Sequence, residues 1–155
     1  MQRLLFFTIL IFTAFRAGAQ TTEDSVKTAV SNLFNAMRQA DSAAAAACFA
    51  PGAMLQSISG RPGNDAVHNT TAAEFANIVA RFPSQAVDER IAFAHIVVDD
   101  RLASVWAPYR LYFKGTFSHC GVDAFQLVRI EGVWKIQYII DTRRKDNCVE
   151  EAAVK

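Results

Sequence analysis

Asp123 is the residue of this chain best suited to chemistry, because it stands in the middle of an apolar, strand-forming stretch, Ser118 to Val128. A carboxyl group desolvated there gains a raised pKa and becomes a general acid or base. The alternative is a carboxylate satisfied by a buried partner, for which Arg110 is available. His119 stands four residues earlier, roughly 13 Å along a strand, so the two side chains share a face without touching. His119 is therefore read either as a group contacting another part of the same ligand or as a hydrogen-bonded core histidine near Ser118 or Arg110. Arg110 itself suits an anionic or carbonyl-bearing ligand.

These residues are placed by a run of strands from Ala86 to Arg144, in which three tight turns are legible: Asp99-Asp100, Lys114-Gly115 and Glu131-Gly132. If each two-residue loop closes its hairpin directly, His95 lies opposite Ser104, Arg110 opposite His119, Trp106 opposite Asp123, and Asp123 opposite Ile140. One face then carries His95, Ser104, Trp106, Arg110, His119, Asp123 and Tyr138, bulky and with embedded polar groups, as a ligand-lined concave face is. Trp106, Tyr112 and Tyr138 could stack on a planar ligand, or simply belong to the core. His95 and Ser104 read as a ligand contact or as a satisfied structural pair. The other face, with Ala103, Val105, Ala107, Tyr109 and Ile139, is smoother and suits packing on a second subunit. A one-residue bulge in any strand would swap the two sets beyond it. Asp141, Arg143 and Arg144 end the last strand on that second face, as a charged rim or subunit contact.

Ahead of the strands, Thr22 can cap a helix whose Val26, Val30, Leu33, Phe34 and Met37 recur at helical spacing. Asp41 can cap a short helix through the alanine run that stops at Pro51-Gly52. Two short strands, over 53–59 and 65–69, flank the turn Gly60-Arg61-Pro62-Gly63. Thr71 and Glu74 form a capping box for a third helix carrying Phe75, Ile78, Val79 and Phe82, which Pro83 ends. Four strands follow. Helices first and a meander after predict an α+β fold: a cone with three N-terminal helices packed on a strongly curved antiparallel sheet.

Residues 1–19 read as a secretory signal peptide: Arg3 ahead of an apolar run from Leu4 to Phe15, then Ala17-Gly18-Ala19 as the cleavage signal before Gln20. Removing 19 of 155 residues leaves 136, which make one domain over 20–145 and a polar tail over 146–155. Fourteen basic residues then face fifteen acidic ones, and no basic stripe is left for nucleic acid or a membrane. The expected location is secreted or periplasmic.

Three cysteines, Cys48, Cys120 and Cys148, enter that oxidising compartment, in no zinc-binding spacing. Strand alternation puts Cys120 on the face away from His119 and Asp123, against a catalytic thiol. Cys120 lies opposite Arg143 in this register, so Cys148 can fold back to it. A Cys120–Cys148 disulfide is expected, worth about 3 kcal/mol by loop entropy.

The segment Ser118-His119-Cys120-Gly121-Val122-Asp123-Ala124-Phe125-Gln126-Leu127-Val128, with Gly132-Val133-Trp134-Lys135-Ile136 and Asp141-Thr142-Arg143-Arg144, resembles the "putative lumazine-binding" (SnoaL-like) branch of the nuclear transport factor 2-like superfamily. The resemblance implies a cone with a pocket between sheet and helices, and a homodimer packed through the back of the sheet. Relatives on that cone include isomerases, dehydratases, cyclases, hydrolases and non-enzymatic binders. Three functions therefore stand: a binder of a small organic molecule, a cofactor-independent hydrolase, isomerase or dehydratase using Asp123 with His119 and Arg110, and an accessory domain that binds a partner chain. No cofactor or metal is expected.

Overall fold

A computed structural model of the chain describes residues 21–61 and 64–154; the segment read as a signal peptide and the tip of the Gly60–Gly63 turn lie outside them. Helix α1 (Thr22–Gln39) is capped by Thr21, one residue earlier than the spacing predicts, whose side chain accepts the Asp24 amide. Asp41 caps α2 (Ser42–Ala47) through the Ala44 amide. Thr71 and Glu74 close the capping box of α3 (Ala72–Val79), each accepting from the other's backbone. That helix ends before Pro83, with Ala80 as its C-cap.

The strands are β1 (Phe49–Arg61), β2 (Asn64–Thr71), β3 (Val87–Ile91), β4 (His95–Asp99), β5 (Leu102–Phe113), β6 (Thr116–Ile130) and β7 (Val133–Thr142). Five strands, not four, follow α3, because the first breaks at residues 92–94 and both pieces pair with β5. The sheet runs β2-β1-β7-β6-β5-β3, with β4 beside β5. Every pairing is antiparallel except β1 with β7. The fold is α+β, a curved and unclosed sheet with the three helices packed on it.

The helices cover the concave side. Val26, Val30, Leu33 and Phe34 of α1 join Phe125, Leu127, Ile136 and Ile139 in one core, with Phe34 edge-on to Phe125 at 6.1 Å. The Lys114-Gly115 and Glu131-Gly132 turns form as expected, with positive φ at all four residues. The first turn does not. Asp99 pairs with Leu102, so the loop is Asp100-Arg101, and His95 lies opposite Trp106 instead of Ser104. That register sets Ile96 and Val98 beside the buried Val105 and Ala103.

Two irregularities decide the rest. Tyr112 pairs with Phe117 but Leu111 pairs with His119, leaving Ser118 as an extra residue in β6. Leu127 pairs with Ile136 but Gln126 pairs with Tyr138, leaving Gln137 as an extra residue in β7. Each extra residue reverses which side chains of the two strands share a face.

Candidate functional site

A cavity of about 500 Å³ opens between the helices and the concave face of the sheet. Leu33, Phe34 and Met37 of α1 and Phe75 and Ile78 of α3 form one wall, and Leu111, Phe125 and Ile139 of the sheet form the other. Its polar end carries Glu89, His119, Asp123, Asp141 and Arg143.

Three of those are buried carboxyls: Glu89, Asp123 and Asp141 are 8%, 5% and 9% exposed. Each comes from a different strand. Asp123 and Asp141 form a cross-strand pair of β6 and β7, which the extra residue at 137 brings into line. Glu89 arrives from β3 through the pairing of that strand with β5.

The Asp123 and Glu89 carboxyls hydrogen-bond to each other. Such a bond needs a proton, which the two carboxyls share. Burial, followed by the charges of Glu89 and Asp141, pushes the Asp123 carboxyl well above the ordinary aspartate range. Burial and then the Asp141 charge lift Glu89 to about 7. Asp141 Oδ2 accepts from Arg143 Nε at 3.0 Å, while Arg143 Nη2 donates to Ser57 Oγ at 2.9 Å. Asp123 Oδ2 and Asp141 Oδ1 are buried, and no N–H or hydroxyl of a described residue donates to either.

Tyr109 frames the cluster. Its hydroxyl donates to the Thr142 carbonyl at 3.0 Å, and burial first, then the Glu89 and Asp123 charges, holds its pKa far above the ordinary phenol range. The ring needs Gly121 directly across the ladder: a Cβ there would lie 1.7 Å from the Thr142 oxygen and 2.7 Å from Tyr109 Cε1. His119 packs edge-on to Tyr109 at 5.7 Å and shares a hydrogen bond with Ser118 Oγ through Nδ1 at 3.0 Å. Burial, then the Arg143 charge, lowers its pKa, so the ring is neutral at pH 7.

The structure brings Asp123 and His119 together in the cavity and sends the other expected contacts elsewhere. Arg110 pairs with Cys120, not His119, and points to the convex side, where it donates to the Val149 carbonyl at 2.9 Å and lies over Phe117. It is not the partner of Asp123. Trp106 pairs with Ala124, not Asp123, and is half-exposed on that same side. Tyr112 packs on Phe117 and under Arg90. Tyr138 pairs with Gln126 and its hydroxyl bonds to Gln56; Ser104 donates to Gln126 Oε1 at 2.8 Å. His95 is exposed. The cause in each case is register: the slipped first turn separates His95 from Ser104, the extra Ser118 turns β5 over relative to His119 and Asp123, and the extra Gln137 turns Tyr138 out and Asp141 in.

Sequence reasoning missed Glu89, placed Asp141 and Arg143 on the opposite face, and gave Tyr109 to the back of the sheet. A signal for Glu89 was present. Val87, Glu89 and Ile91 share one parity in a short strand, which puts a carboxyl between two inward apolar side chains.

Cys120 and Cys148 are joined by a disulfide, with Cys120 bridged by backbone to Arg144, one residue beyond the expected Arg143. Cys48 is free, half-buried, and bonded through sulfur to the Ala44 carbonyl. Among the described residues no set of His, Cys, Asp or Glu is arranged to hold a metal ion.

The chain is similar in fold to an NTF2-like protein of unknown function from Shewanella baltica OS155, at 15% identity and TM-score 0.66, over 80% of this chain and 94% of that one. A protein of unknown function with a cystatin-like fold from Nostoc punctiforme PCC 73102 matches at 13% identity and TM-score 0.65, over 81% and 95%. An NTF2-like protein with a cystatin-like fold from Novosphingobium aromaticivorans matches at 11% identity and TM-score 0.64, over 84% and 85%. At these identities the likeness is one of fold. No curated protein matches the chain. A family model described as "Putative lumazine-binding" matches residues 21–138, and the chain belongs to that family, on an NTF2-like cone.

Proposed function

We propose that this protein is exported and binds one small, partly planar organic molecule in each cone. The supporting observation is the cavity itself: about 500 Å³, apolar along both walls and polar at one end. An apolar body lies between Phe34, Phe75, Leu111 and Phe125, and a hydrogen-bonding group reaches the Asp123–Glu89 pair. Family membership supports small-molecule binding. Export rests on the pattern of residues 1–19, and sequencing the mature protein from Gln20 tests it.

The test of binding is a thermal-shift screen against lumazines, pterins, flavins, steroids and small aromatic acids, run in parallel on Leu111→Trp, which fills the cavity. A ligand at 100 times its Kd stabilises the fold by about 2.7 kcal/mol, a shift of several degrees. A shift in the natural chain that Leu111→Trp abolishes supports the reading; a shift that survives the filled cavity defeats it.

The Asp123–Glu89 pair favours a second reading, cofactor-independent proton transfer. Glu89 near pH 7 is matched to general-base work, and Asp123 holds a proton that a ligand oxygen can take. Turnover lost with affinity kept in Asp123→Asn separates this from binding alone.

The protein is further read as a homodimer through the convex face, where His95, Val97, Leu102 and Trp106 are exposed side by side on β4 and β5. Trp106, at 50% exposure, is the largest apolar side chain there.

A further inference from the structure

Two acceptors at the polar end of the cavity have nothing to accept from. Asp123 Oδ2 and Asp141 Oδ1 belong to side chains more than nine-tenths buried, and no N–H or hydroxyl of a described residue donates to either. They are cross-strand partners lining the same cavity. Directly opposed side chains stand about 5 Å apart at Cβ, so one small group can reach both.

The charge around them is not balanced. Above pH 7, where Glu89 has ionised, one proton still joins Asp123 to Glu89, so that pair carries a single negative charge. Asp141 carries another, and the Arg143 guanidinium at 3.0 Å offsets one of the two. His119, neutral at pH 7, adds nothing. The cavity end is left with one net negative charge and two open acceptors. A carboxylate or phosphate head would set acceptors against acceptors and add charge of the same sign.

We infer that the ligand of this cavity carries a cationic nitrogen head, a primary ammonium or an amidinium, donating to Asp123 Oδ2 and Asp141 Oδ1, on an apolar body that fills the space toward Phe34 and Phe75. This rests on the reading of the cavity as a ligand site. The head supplies at least two N–H donors in one compact group, and its charge cancels the excess. Charge-assisted bonds of this kind are the strong ones in a desolvated site.

The experiment is isothermal titration calorimetry at pH 7.5 with three probes sharing one body: 2-naphthylmethylamine, 2-naphthylmethanol and 2-naphthoic acid. The amine is expected to bind at least about tenfold tighter than the alcohol, and the acid weakest of all. Asp141→Asn is expected to cost the amine about tenfold and to leave the alcohol within about threefold. If that variant does not fold, the order of the three probes on the unaltered chain decides alone. Alcohol or acid binding as tightly as the amine overturns the cationic head and keeps the ligand site. Amine binding undiminished in Leu111→Trp, or no binding by any probe at millimolar concentration, overturns the ligand site as well.

Discussion

Asp123 and Asp141 stand directly opposite one another on β6 and β7, two buried aspartates in a position where like charges oppose folding. The protein tolerates the pair by treating its members differently. Asp141 is held by Arg143, and Asp123 keeps a proton shared with Glu89. The result is one ionised carboxyl, one protonated carboxyl and a third group, Glu89, that titrates near neutrality.

Stability therefore depends on pH through Glu89. Its folded pKa of about 7 lies above the ordinary 4.5, so the folded state binds the proton more tightly than the unfolded chain. That stabilisation is complete below about pH 4.5 and is lost as the pH rises through 7, a change of about 3 kcal/mol. His119 acts with the opposite sign: its depressed pKa gives stability that is present above pH 6.5 and lost as the pH falls through the lowered value. Urea unfolding of the natural chain and Glu89→Gln between pH 4.5 and 7.5 isolates the carboxyl. The variant is expected to show a shallower decline, the remainder belonging to Asp123, whose raised pKa acts with the same sign; identical slopes would exclude Glu89.

Gly121 is required by contact, not by conformation. Alanine there meets the Thr142 carbonyl and the Tyr109 ring, both fixed in the ladder. Gly121→Ala is expected to destabilise by about 3 kcal/mol and to displace Tyr109 from its bond to Thr142. Chemical denaturation gives the first, and the Tyr109 ring resonances give the second. Gly115→Ala meets no atom but takes on a positive φ, so it reports backbone strain without the collision.

The Cys120–Cys148 disulfide ties the tail to the convex side, where Arg110 also holds Val149 and Arg90 lies 3.5 Å from Glu151. Cys148→Ser is expected to lose about 3 kcal/mol and to open residues 146–154 to proteolysis, with the cavity unaltered. Thiol titration of the oxidised natural chain should find Cys48 alone.

Trp106 separates the two faces experimentally. It lies on the convex side, so Trp106→Ala should leave ligand affinity within about twofold while weakening self-association at least about tenfold, as removal of a central aromatic anchor does. Sedimentation and calorimetry on the same sample give both numbers. Loss of affinity without change of mass would reverse the assignment of faces.

Much of this protein was legible in local signals. Asp41, the Thr71–Glu74 box, and the Lys114-Gly115 and Glu131-Gly132 turns each act over four residues or fewer, and each forms as its chemistry dictates. The same is true within single strands: His119, Asp123 and Phe125 do share a face, as do Arg110 and Trp106. Asp123 was visible as a mid-strand carboxyl for that reason. What tertiary structure decided was how the parity of one strand meets that of the next. The extra residues Ser118 and Gln137 turn Arg110, Trp106 and Tyr138 out and Asp141 and Arg143 in. No residue type marks either position, because a bulge answers to the bending of the whole sheet around the helices. Glu89 comes to Asp123 from 34 positions away through two ladders. Alternation is a property of one strand, whereas the acid cluster is a property of three held in register by the packing of the cone.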